Sequence, residues 1–278
     1  MDQETLNIFL NSDATKDVLS RRYGEVAGTI ASTPLSMRLK NTSFDGEASR
    51  GGTVKVYRLK TSISQSYGTA RAAGEGDALQ NNGVDIKIDT DREIIEEIEK
   101  KDLDRYGIDS LVAKRTANHP IAMGIELDTK YFVELQNNAT VVSLTGSTTS
   151  EKVLDLIRNL ESVQNENVDV VDREMMVLTL APVWHDALLT YMYTIQNPAG
   201  QNVNYLHGVE VVSAPRQQFD AIVQVRGSIA QPVSVTPYEA SRIPLSKAFA
   251  IELYFDYGTK AVMPDLIYAG ALDGDISV

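Results

Sequence analysis

Two alternating segments joined by a long turn-rich stretch constrain this chain more than any other feature. Thr53-Val-Lys-Val-Tyr-Arg-Leu59 alternates, and so does Val84-Asp-Ile-Lys-Ile88. Alternation places successive side chains on opposite faces of a strand. The residues between are mostly Ser, Gln, Gly, Ala and Asn, so the whole predicts one long β-hairpin. An isolated two-stranded hairpin is marginal in water. A long structureless loop inside a compact domain is also uncommon. The hairpin is therefore expected to bury Val54, Val56, Leu59, Val84, Ile86 and Ile88 on another copy of the chain, with Arg58 and Arg71 joining the contact. That points to an assembly part rather than a self-contained enzyme.

At 278 residues the chain is long enough to bury a real core. It has no cysteine, which excludes disulfides and thiolate metal sites. No apolar run approaches the roughly 20 residues of a membrane span, and no membrane contact is expected. Met1–Leu10 has neither a basic region nor a long apolar core, so it does not read as a signal peptide. The net charge of −12 would repel nucleic acid, and no basic run is longer than a pair such as Lys114-Arg115. A sequence-reading DNA or RNA module carries a basic patch, and none is visible.

Along the chain, residues 1–52 read as an extended arm punctuated by glycines. Asp89 to Asp104 reads as a short, densely charged helix or turn with Ile94, Ile95 and Ile98 on one edge. A longer helix follows, with Leu111, Asn118, Ile125 and Phe132 spaced by seven and Ile121, Ala122 and Leu135 on neighbouring rows. Pro120 either kinks that helix or starts it. Thr148-Thr-Ser-Glu151 matches a capping box, and Val153, Leu156, Ile157 and Leu160 form the stripe behind it. Met175–Ala181 reads as a strand. Pro182 opens a helix with Trp184, Ala187, Leu188, Tyr191 and Ile195 on one face. Further strands are expected at 208–213 and 219–226, and a hairpin over Ala248–Tyr257 and Lys260–Ala269 turning at Gly258-Thr259. Strands and helices do not alternate regularly, which favours an α+β fold.

Catalytic chemistry finds little support. His119, His185 and His207 lack metal-pair spacing, and each reads as structural, His119 as a helix-cap residue. No phosphate-binding loop or nucleophile elbow occurs. The acids at 89–104 read as a solvated face, with charge pairing to arginines of a neighbour such as Arg50, Arg58 or Arg71 as the second reading. No catalytic, metal or cofactor site is expected.

The order of these parts resembles a tailed-bacteriophage major capsid protein with the HK97-type fold. The hairpin around Thr53–Ile88 is similar to the extended loop (E-loop) of that family. Leu111 to Phe132, with its Ile125-Glu-Leu-Asp-Thr-Lys-Tyr-Phe132 run, resembles the spine helix. The resemblance implies an N-terminal arm over 1–45, the extended β-hairpin loop over 46–90 and a peripheral domain with the spine helix over 91–147. It further implies an axial domain over 148–228 and return strands of both domains over 229–278. The implied function is a coat protein forming pentamers and hexamers of an icosahedral shell around double-stranded DNA, assembled in the bacterial host cytoplasm. The implied partners are further copies of itself, a separate scaffolding protein, a portal protein at one vertex and a decoration protein. Some family members carry a Lys–Asn cross-link between hairpin and peripheral domain. No Asn follows Asn204, so none is expected here. Met1 and the lack of a long charged helical prefix imply neither a cleaved propeptide nor a fused scaffold. The competing readings are a tail tube or sheath protein, an encapsulin-like compartment shell, and a soluble metal-dependent hydrolase using the acids of 89–104.

Overall fold

The computed structural model of the chain describes residues 13–32, 34–43, 52–59, 81–99, 101, 105, 108–165, 168, 170–196, 200–243 and 248–272. Two sheets share one long helix. The first sheet is four-stranded and built on β13 (Ala248–Tyr257). β3 (Thr90–Glu99) runs antiparallel along its full length, with Thr90 opposite Tyr257 and Glu99 opposite Ala248. β11 (Val233–Val235) and β12 (Glu239–Arg242) pair with its other side. The acidic stretch expected as a short helix or turn is therefore a strand over most of its length. Ile94 and Ile98 alternate around Glu96 and face inward opposite Leu253 and Phe249, while Ile95 is left exposed. Pairing with a strand about 150 residues away overrode a local pattern that suited either period, as strand preference depends on what packs against it.

Helices cover the inner face of that sheet. α1 (Asp13–Ser32) and α2 (Leu35–Leu39) occupy the region expected as an extended arm. The missed signal is Leu19, Tyr23, Val26 and Ile30, a helical stripe at i, i+4, i+7 and i+11. It packs with α3 (Ile108–Thr116) and α4 (His119–Asn137) into one core with Ile98, Met123, Leu127, Ile251, Leu253 and Phe255. The predicted long helix is two, broken at 117–118, with Asn118 as the capping position and Pro120 in the first turn of α4. Pro120 thus starts the helix, where its missing N–H has no partner to lose. Phe132 and Leu135 are buried as expected, but Asn118, Ile121, Ala122 and Ile125 face solvent, and Met123, Leu127 and Tyr131 take the core positions.

The second sheet has seven strands in the order β4-β15-β9-β5-β8-β7-β6. These are β4 (Thr140–Val141), β5 (Met176–Leu180), β6 (Tyr193–Gln196), β7 (Asn202–Leu206), β8 (Val209–Ser213), β9 (Ala221–Val225) and β15 (Ile267–Gly270). α5 (Thr149–Glu161) covers one face with Val153, Leu156, Ile157 and Leu160, and its capping box forms as read, Thr148 accepting from the Glu151 N–H while the Glu151 carboxylate accepts from the Thr148 N–H. The C-terminal half of α4 covers the other face with Tyr131, Phe132 and Leu135. α6 (Pro182–Leu188) is shorter than expected. A 3-10 turn at Leu189–Tyr191 ends it, and Ile195 lies in β6. The expected C-terminal hairpin does not form. β13 stays in the first sheet, β14 (Lys260–Ala261) pairs with β10 (Ile229–Ala230), and β15 enters the second sheet between β4 and β9. Gly258 lies where the chain crosses between sheets.

Candidate assembly surfaces

The predicted hairpin forms. β1 (Thr53–Leu59) pairs antiparallel with β2 (Asn81–Lys87), with Val54 opposite Ile86 and Val56 opposite Val84. Its root lies on the chain's own body, contrary to the expectation that these residues pack on a neighbour. Val54, Val56, Ile86 and Ile88 are buried in one cluster with Ala230 and Val262, and Val84 is half-buried beside them. The reason lies in the crossing between the sheets. The β10–β14 pair carries an apolar surface that the alternating face of the hairpin covers. The Lys260 ammonium donates to the Asp85 carbonyl at 3.1 Å, and the Ile88 N–H donates to the Gly52 carbonyl at 3.0 Å. A Cβ on Gly258 would stand 2.1 Å from the Lys87 carbonyl oxygen. Glycine is required there because two backbones touch. The side chains of Arg58 and Leu59, and the whole of Arg71, lie outside the described residues.

The acidic strand β3 is tied into the same chain. Glu126 accepts from Arg92 at 2.5 Å and from the Tyr257 hydroxyl at 2.7 Å. Glu96 pairs with Arg115 at 3.4 Å and lies 3.5 Å from His119. His119, expected as a cap, is instead a buried first-turn residue, with Nδ1 2.8 Å from the Tyr238 hydroxyl. Burial pushes its pKa below the ordinary histidine range, against the opposing pull of Glu96. His207 adopts a positive φ of 52° with Gly208 at 86°, forming the two-residue turn between β7 and β8. Arg173 holds that turn, donating to the His207 carbonyl at 2.9 Å and to both Glu161 oxygens at 3.0 and 2.7 Å. Hydrogen bonding to Arg173 holds the Glu161 carboxyl below its usual range. His185 lies 3.5 Å from Asp186. The three histidines do not converge, and among the described residues no group of His, Asp and Glu could hold a metal ion. No described helix is long and apolar enough to cross a membrane.

The α1–α2 segment is bonded to the body. The Ser36 N–H donates to Asp128 at 2.8 Å, the Asn41 N–H donates to the Ile229 carbonyl at 2.8 Å, and the Tyr23 hydroxyl donates to the Val235 carbonyl at 3.0 Å. Among the described residues, what is left open is apolar surface. Ile121, Ile125 and Val133 are exposed on α4. A denser set, Val183, Leu189, Tyr191, Tyr193 and Ile195, gathers at the β6 end of the seven-stranded sheet. Tyr191 and Ile195, expected on one helix face, lie instead in the 3-10 turn and in β6. The available signal was the alternation of Tyr193-Thr-Ile-Gln and Asn202-Val-Asn-Tyr around Asn197-Pro-Ala-Gly200.

No protein-family model and no curated protein sequence matches the chain. Solved structures do. A structure from Mycobacterium phage Che8 superposes with a TM-score of 0.56 at 18% identity, covering 87% of this chain and 93% of its own. The capsid of an empty GTA particle gives 0.59 at 12% identity, covering 86% and 89%. The virus-like particle from Pyrococcus furiosus gives 0.56 at 13% identity, covering 91% and 98%. Near-complete coverage on both sides, with the mixed helix and sheet architecture described above, gives the chain the α+β HK97-like capsid fold.

Proposed function

We propose that this chain is the major capsid protein of a tailed bacteriophage, a structural subunit with no catalytic role. Copies assemble as pentamers and hexamers into an icosahedral shell that encloses double-stranded DNA. The observation that carries this reading is the fit to the capsid of a GTA particle over 86% of this chain and 89% of that one, together with the fit to a structure from a tailed-phage source, Mycobacterium phage Che8. The hairpin supports it. Its root is seated in the body, so the part beyond Val56 and Val84 starts from a fixed base, and Arg58, Leu59 and Arg71 remain the candidates for reaching a neighbour. The break before Pro120 is the place where the spine would bend if the shell expands. The net charge of −12 suits a container whose inner wall repels packaged DNA. A separate scaffolding protein, a portal and a decoration protein complete the expected partners.

Electron microscopy of the purified chain, expressed alone and with its scaffold, tests this. Uniform closed shells are expected, and their diameter gives the copy number. Tubes would replace the reading with a tail protein, and a small soluble oligomer under both conditions would end it. The likeness to the Pyrococcus furiosus particle favours one second reading, an encapsulin-like compartment. The contents of the shells, DNA or a protein cargo, separate the two.

A further inference from the structure

α2 is a helix of only five residues, Leu35–Leu39. A helix this short is not stable alone in water. Its own sequence gives it little help. Pro34 stands at the N-cap with no side-chain acceptor, and the first turn carries no acid. The groups that hold its ends come from far along the chain. The Asp128 carboxylate of α4 accepts the Ser36 N–H at 2.8 Å, which is the bond a capping side chain makes. At the other end, Arg226 donates to the Arg38 carbonyl at 3.2 Å, and the Gly227 N–H donates to the Leu39 carbonyl at 3.0 Å.

The helix sits between the two cores. Met37 packs on the core of the four-stranded sheet, while Leu35 and Leu39 enter the core of the seven-stranded sheet beside Tyr131 and Phe132. Pro34 lies against Gly124, one turn before Asp128 on α4, where an added Cβ would stand 3.2 Å from the Pro34 Cγ. The second Asp128 oxygen lies 3.6 Å from Arg216, in the loop between β8 and β9. One buried carboxylate thus touches α4, α2 and the seven-stranded sheet at once. α4 also runs under both sheets, and the hairpin root covers the crossing between them. α2 differs from these links in being conditional, because it stays helical only while both of its ends are held.

We infer that α2 is a strap that fixes the angle between the two sheets, and that Asp128 is its catch. With the catch closed, α2 is helical and wedges Met37 into one core and Leu39 into the other. With the catch open, α2 unwinds and the sheets turn relative to each other about α4. α1 ends at Ser32, so a displacement of the N-terminal segment reaches the catch directly. The strap belongs to the single chain and does not depend on the shell reading.

Amide hydrogen exchange and the distance between two spin labels, both measured on the unassembled full-length chain, test this. The chain has no cysteine. I95C on the four-stranded sheet and V183C on α6, both at exposed positions, therefore carry the labels. D128A is expected to speed exchange of the Ser36–Lys40 amides about tenfold, as loss of a cap and an ion pair would. It should also broaden a label distance that is single and narrow in the parent. D128N keeps an acceptor for the Ser36 N–H but no charge for Arg216. It is expected to fall between the two, and it serves where D128A does not fold. A disulfide can close the catch independently. A Cβ on Gly124 would lie 3.8 Å from the Pro34 Cβ, the usual separation in a disulfide. D128A carrying P34C and G124C, without the labels, should regain slow exchange when oxidised and lose it when reduced. Fast exchange at α2 with an unchanged narrow distance would overturn the inference, since the helix would then melt without freeing the sheets. Parent-like exchange in both D128A and D128N would overturn it too, since Asp128 would not be the catch.

Discussion

Two ribbons in this molecule have the same construction and opposite fates. At the hairpin root, Val54, Val56, Ile86 and Ile88 form the apolar face of an antiparallel pair, and Ile86 is 1% exposed. In the β6–β7 ribbon, Tyr193, Ile195, Val203 and Tyr205 form the same kind of face, and about half of Ile195 is open. The hairpin looks in sequence like the part that needs a partner, and its root finds one in its own chain. The shorter ribbon looks like the tail of a helix, and the described residues leave its face open. Alternation tells that a strand has an apolar side. What lies against that side depends on where the sheets and helices come together.

Substitutions on each ribbon probe the contrast. I86A should cost the most, about 2–5 kcal/mol of folding stability from lost burial plus the cavity left behind. Urea unfolding of the unassembled chain measures this, and a loss below about 1 kcal/mol would be too small for a core residue and would mean that the root is not seated. G258A leaves every side chain of the ribbon in place yet should cost about 1–3 kcal/mol, because the new Cβ meets the Lys87 carbonyl. An unchanged melting temperature would contradict the crossing of backbones described here.

Acid provides a perturbation that touches neither ribbon. His119 has its folded-state pKa lowered by burial. The neutral ring is therefore the stable form in the folded chain. Its contribution is present above the unfolded value near 6.5 and is lost as pH falls through the lower folded value. Wild type should lose stability below about pH 6.5 more steeply than H119Q, and parallel urea midpoints against pH would refute the assignment. The smallest effect is expected for I195A, within about 0.5 kcal/mol in the unassembled chain. Equal losses in folding for I195A and I86A would erase the difference between the two ribbons.

Much of the local structure was legible in the residues. The capping box at Thr148–Glu151, the stripe behind it, the strand after Met175 and the pairing of Thr53–Leu59 with the segment before Ile88 all follow from spacing and end signals. The stripe Leu19-Tyr23-Val26-Ile30 was equally plain, but it was obscured by Gly24 and Gly28, which occupy the exposed side of α1, where a glycine is tolerated. The acidic strand β3 was not legible. Ile94, Ile95 and Ile98 suit either period, and the inward Glu96 hides the alternation until Arg115 and His119 are seen beside it. The candidate surface was misplaced for the same reason. Burial of the hairpin root depends on Ala230 and Val262, more than 140 residues away in the chain.

Periodicity, capping residues, the proline at the head of the long helix and the absence of cysteine depend on neighbours within a few positions, so the chain carries them openly. They determined the kinds of element, most of their order and the exclusion of thiol chemistry. The fate of Gly258, the partner of β3 and the cover over each ribbon depend on segments brought together only when the two sheets close on α4. Hydrophobic burial has no direction of its own. An apolar face is satisfied by whatever surface arrives, and only the tertiary structure decided which surface that was.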